Sequence, residues 1–90
     1  MHMSAAGDIF ELQSRLCDVP ELVRRGIGAE QLAQNEIALS HSGHVIGVWR
    51  AARGRFLFIP AGYRQAAFDT ASVDGAVHYT IEHLSAPLVS

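Results

Sequence analysis

Apolar residues recur at two different periods along this chain, and the change of period divides it into three parts. In the first part Ile9, Leu12 and Leu16 fall at helical spacing. Asp8 with Glu11, and Asp18 with Glu21, have the N-cap and N3 spacing of a helix start. Pro20 suits the first turn of the second helix, because its missing N–H would be unpaired there anyway. Gly26 and Gly28 break that helix. A third short helix is expected through residues 30–35, with Leu32 facing inward.

The middle part changes to strand-like runs: EIALSH, HVIGVWRA and RFLFI. Ser42-Gly43 and Arg53-Gly54 separate them, each turn carrying a glycine for the positive φ that tight hairpins require. These runs predict a three-stranded antiparallel meander. Pro60 and Gly62 end its third strand, and PAGYRQAAFD reads as a loop.

Two-residue turns fix a register. The first pairs His41 with His44, Leu39 with Ile46 and Ile37 with Val48. The second pairs Trp49 with Phe58 and Ala51 with Phe56. One face then carries Ile37, Leu39, Ile46, Val48, Leu57 and Ile59. The other carries Ala38, Val45, Gly47, Trp49, Ala51, Phe56 and Phe58. A sheet with one wet face should alternate apolar and polar residues, and this one does not. Both faces therefore need a cover: the N-terminal helices on one, a C-terminal helix on the other. If the aromatic face is left partly open, it becomes a contact surface for a twin subunit, a partner protein or stacked bases. On that reading Gly47 and Ala51, beside Trp49, leave room for a flat group or an approaching backbone.

The last part satisfies both periods. Val77, Tyr79 and Ile81 alternate with polar residues, yet Val73, Val77, Ile81 and Leu84 also fall at helical spacing. Ser72 makes a good N-cap, Asp74 suits the positive end of a helix and His83 the negative end. The helix is favoured. It places Asp74, His78 and Glu82 on one polar stripe.

Size and charge narrow the function. A single domain of 90 residues with 49% apolar and 18% charged residues should fold rather than stay disordered. A net charge of −2 disfavours a chain built to coat nucleic acid. All seven basic residues are arginine, which excludes a P-loop, a Schiff-base lysine and a Ser–Lys pair. The single Cys17 excludes an internal disulfide and reads as a small buried hydrophobe. No apolar run approaches a membrane span, and residues 1–8 lack a signal peptide's basic and apolar regions. Residues 1–3 read as a cloning remnant, and the expected location is cytoplasmic.

Candidate chemistry concentrates in the middle. Residues 37–68 hold four arginines and no acid, between two acidic ends. Within them Trp49, Arg50, Arg53, Arg55, Phe56, Phe58, Tyr63 and Arg64 bring together planar phosphate-binding forks and stacking rings. Arg53-Gly54-Arg55-Phe56-Leu57-Phe58 only echoes the aromatic run of RNA-recognition domains. His41 and His44 flank a turn and share a face, but no spacing supplies a third metal ligand. No catalytic motif is present, so no catalytic residue, cofactor or metal is expected. The sequence predicts an α+β domain spanning residues 1–90: N-terminal helices, a three-stranded antiparallel meander and a C-terminal helix. Its expected role is a non-enzymatic interaction or regulatory module, self-associating or binding another protein through Trp49, Phe56 and Phe58 with arginines at the rim. The alternative is single-stranded nucleic-acid binding through residues 49–64. A metal- or ligand-sensing role for His41 and His44 is a third class.

Overall fold

A computed structural model describes residues 5–84, with side chains from Ile9 onward. Residues 1–3, the expected cloning remnant, and the Asp8 side chain lie outside the described set. The chain runs α1 (Ala5–Cys17), α2 (Pro20–Arg24), β1 (Ile27–Ala33), β2 (Glu36–His41), β3 (His44–Ala52), β4 (Arg55–Pro60), β5 (Phe68–Thr70) and α3 (Val73–Leu84). The α+β class, the antiparallel sheet and the helices at both ends agree with the sequence. The sheet has five strands rather than three, in the simple order β1-β2-β3-β4-β5.

Both extra strands come from segments without a clear period. Residues 30–35 are not a helix. They complete β1 and turn into β2, with Ala29 against Leu39 and Gln31 against Ile37. A bulge between Gln31 and Ala33 interrupts the alternation, and Leu32 stays 58% exposed instead of facing inward. Strand β5 takes Phe68 and Asp69 from the end of the expected loop and adds Thr70; three residues are too few to show a period, and Phe68 lies against Phe58.

The helix starts differ in detail. Helix α1 begins by Ala5, so Asp8 lies inside it rather than at its cap. The N-cap of α2 is Val19 without a side-chain bond, not Asp18, while Pro20 takes the first turn as expected. Gly26 ends α2 at φ 75°. In α3 the Ser72 hydroxyl accepts the Gly75 N–H at 2.9 Å, the expected cap. Cys17 is exposed rather than buried; its thiol lies 3.7 Å from the Ala29 carbonyl, which also accepts from Gln13 Nε2 at 3.1 Å.

Both expected hairpin turns form. Ser42-Gly43 and Arg53-Gly54 each have two consecutive positive φ angles, 55° and 83° in the first and 55° and 78° in the second. That is the type I′ geometry that matches strand twist. The second hairpin keeps its predicted register, with Trp49 against Phe58 and Ala51 against Phe56. The first starts as predicted with His41 against His44, and then slips. A bulge on β3 places Leu39 opposite Gly47 and Ile37 opposite Trp49.

That one residue rearranges the faces. Ile37, Leu39 and Ile46 join Trp49, Ala51, Phe56 and Phe58 in the core. Ala38, Val45, Val48, Leu57 and Ile59 are left on the opposite face. The expectation of two equally apolar faces, each with its own helical cover, is therefore corrected. The three helices among the described residues lie on one side. Ile9, Leu12 and Leu16 of α1, Leu22 of α2 and Ala76 and Val77 of α3 join one cluster with the inner residues of the sheet. Helix α1 packs on β1, β2, β3 and α3. The result is two layers, helices over a sheet, with the far face of the sheet bare among the described residues.

Candidate interaction surface

The sequence assigns the partner contact to Trp49, Phe56 and Phe58. All three are buried, at 0%, 4% and 3% exposure, beneath α1 and α3. The Trp49 indole N–H donates to Thr80 Oγ at 3.0 Å, and that hydroxyl donates to the Ala76 carbonyl at 2.8 Å. A buried indole N–H needs such a partner, and α3 supplies it. The Trp49 ring lies 5.1 Å from Phe58 and 6.0 Å, edge-on, from Tyr79. The flat group for which Gly47 leaves room is the Phe58 ring: a Cβ at Gly47 would run into it. The aromatic face is core, so these rings cannot stack on bases or on a partner in the folded chain.

The predicted arginines are not brought together into one basic patch. Arg50 is held by Glu36 at 2.7 Å and Arg55 by Asp69 at 2.6 Å, both on the bare face. Arg53 is exposed in the second hairpin turn. Tyr63 (70% exposed) and Arg64 lie in the loop before β5. The expected His41–His44 pair forms across its turn. The expected stripe of Asp74, His78 and Glu82 forms on α3: His78 Nε2 lies 3.0 Å from Glu82 Oε2, while Asp74 pairs with Arg15 of α1. Among the described residues no group of three His, Cys, Asp or Glu side chains could hold a metal.

The surface that remains is built from cross-strand rows. One row runs Glu30, Ala38, Val48, Ile59 across β1 to β4. The next runs Glu36, Arg50, Leu57, Asp69 across β2 to β5. A third begins with Gly28, Ser40 and Val45. Val48, Leu57 and Ile59 are half-buried by one another, and Val45 is 51% exposed. The two ion pairs frame this apolar strip. Arg55 reaches Asp69 diagonally, because Asp69 sits opposite Leu57. A shallow hollow of about 400 Å³ opens at one end, beside Gln34, Asn35, Glu36, Arg50 and Ala52. The sequence pattern places Val48, Leu57 and Ile59 on one face, as observed, but puts Ile37, Leu39 and Ile46 with them and assigns Ala38 and Val45 to the other. Nothing in the residues between Leu39 and Trp49 signals the bulge that decides this.

Compared with protein-family models, with curated proteins and with solved structures, the chain matches none. Among the described residues no helix is long and apolar enough to cross a membrane. The functional reading therefore rests on the surface itself.

Proposed function

We propose that this protein is a non-enzymatic interaction module that pairs with a second copy of itself through the bare face of its sheet. One observation carries the reading: Val45, Val48, Leu57 and Ile59, around a buried Ala38, form an apolar strip on a face that no helix among the described residues covers. Strips of this kind on small proteins mark contact sites. Its rim favours self-pairing, because Glu36, Arg50, Arg55 and Asp69 place both charge signs around one apolar centre. A two-fold axis through that centre lets each arginine approach a carboxylate of the other copy.

Size sets the strength. Five strands about 4.8 Å apart, each with about six residues rising 3.3 Å, give a footprint of roughly 480 Å². A standard interface takes about 800 Å² from each partner, so this contact is weak and reversible. The exposed free thiol of Cys17 fits a reducing compartment, and we place the protein in the cytoplasm.

Sedimentation equilibrium across a concentration series tests the reading. Dimer should grow with concentration and resist added salt, since an apolar contact depends on mass action rather than counterions. Val48→Asp and Leu57→Asp should each leave the circular dichroism spectrum intact and return the chain to monomer. A wild-type chain that stays monomeric at ~1 mM would overturn it, since that limit leaves less than about 4 kcal/mol of association. Binding of a single-stranded oligonucleotide by such a monomer, falling steeply with salt, would put contact through Arg50, Arg53, Arg55 and Arg64 in its place.

A further inference from the structure

On the other side of the molecule, three chain segments and a helix end converge on a cleft of about 410 Å³. Ile27 at the start of β1, Ile46 in the β3 bulge and Leu84 at the end of α3 line it with apolar side chains continuous with the core. Arg24, Arg25, His41 and His83 supply its polar groups, and no carboxylate among the described residues lines it. Its volume is that of a small-molecule site, and an apolar lining with a few convergent polar groups is the usual composition of one.

The charge is unbalanced. Arg15, Arg50 and Arg55 each hold a carboxylate. Among the described residues, no carboxylate lies within 4 Å of the Arg24 or Arg25 guanidinium. The end of α2 does not occupy them either. Its last carbonyls accept backbone N–H groups: Glu21 and Leu22 from Arg25, and Val23 from Gly26. Helix α3 also ends here, and its C-terminus contributes about half a negative charge, which two full guanidinium charges outweigh.

The third feature is a column of rings. Phe68 stacks on Tyr79 at 4.1 Å with an 11° tilt, and Tyr79 stacks on His83 at 4.1 Å with a 21° tilt. His83 Nδ1 sits 3.2 Å from the Tyr79 carbonyl, which fixes the ring's orientation. The column starts in the core and ends at His83, on the cleft. A flat ring placed there would continue it.

We propose that this cleft binds a small planar aromatic anion, with the ring against His83, Ile46 and Leu84 and a carboxylate or phosphate head on Arg24 and Arg25. The arginine forks match the paired oxygens of such a head. The apolar lining excludes a bare inorganic anion as the preferred ligand. The site is independent of the bare sheet face, and its test does not depend on self-association.

Amide NMR titration with 2-naphthoate is the direct experiment. Saturable shifts should cluster at Ile27, His41, Ile46 and His83, with a Kd of about 1 mM or tighter. Arg24→Gln with Arg25→Gln, both on exposed side chains, should weaken binding by about tenfold or more, as should uncharged 2-naphthalenemethanol as ligand. Arg53→Gln, in the second hairpin turn, should bind like wild type. The absence of saturable shifts by ~10 mM, well past the affinity expected for a ligand of this size, would overturn the proposal. Equal binding of the uncharged analogue, equal loss in Arg53→Gln, or inorganic phosphate binding as tightly as naphthoate would overturn it too.

Discussion

The Trp49 indole makes its one polar bond to a hydroxyl that is itself fully buried, so removing that hydroxyl strands an N–H in the core. Thr80→Val keeps the shape and deletes the acceptor. It should cost about 1–3 kcal/mol in urea unfolding, because an unsatisfied buried donor loses its full hydration. An unchanged midpoint would mean that water replaces the threonine. Trp49 emission in the native protein should be blue and indifferent to single-stranded oligonucleotides, since its ring lies under α3; red, quenchable emission would contradict the packing described above. Gly47 is constrained by space. Gly47→Ala pushes a methyl into the Phe58 ring, which is already packed against Trp49 and Tyr79. Overpacking of this kind costs about 1–3 kcal/mol. In a domain this size that corresponds to a fall in Tm of roughly 4–8 °C per kcal/mol. A Tm within a degree of wild type would show that the ring moves aside freely.

The bulge on β3 is the element on which the two faces depend. Val45 points to the bare face and Gly47 to the core face, which is the strict alternation of a strand with Ile46 taken out. Deleting Ile46 should therefore leave the register of Ile37 with Trp49 unchanged and the protein folded. It removes an apolar wall of the cleft and the carbonyl that accepts the Ala61 N–H. A loss of about 1–3 kcal/mol is expected from the lost burial. A far-UV spectrum of an unfolded chain would mean that the bulge also sets the register. Much of the rest was legible in the sequence. Both I′ turns, the cap at Ser72, the inner stripe of α1 and the helical period of α3 all rest on short-range patterns that depend on neighbours in the chain. The missed features depend on distant ones. A bulge is selected by which face a helix will cover, and β5 exists because Phe58 offers an edge to Phe68. The candidate surface shares this dependence: the sequence groups Trp49, Phe56 and Phe58, but carries no mark of which side of the sheet the helices take.

At the scale of the whole molecule, the layer arrangement brings the first and last described helices together. Helix α1 packs on α3 from the opposite end of the sequence, with Arg15 and Asp74 bonded across the seam. Both side chains are largely exposed, so Arg15→Ala should change equilibrium stability by under about 1 kcal/mol. A larger loss would mean that the seam is better shielded from water than its exposure indicates. Every strand, by contrast, pairs only with its sequence neighbour. That difference has a kinetic consequence. The hairpins close loops of two residues, whereas the Arg15–Asp74 contact of the α1–α3 seam spans 59 residues, at an entropic cost that grows with loop length. Refolding should be led by the two hairpins, with the helical seam forming after the rate-limiting barrier. Substitutions at Arg53-Gly54 that spoil the turn should slow refolding, while substitutions in the seam should mainly hasten unfolding. The meander thus gives the sheet a head start over the helices that will cover it, and for that interval both of its faces are bare.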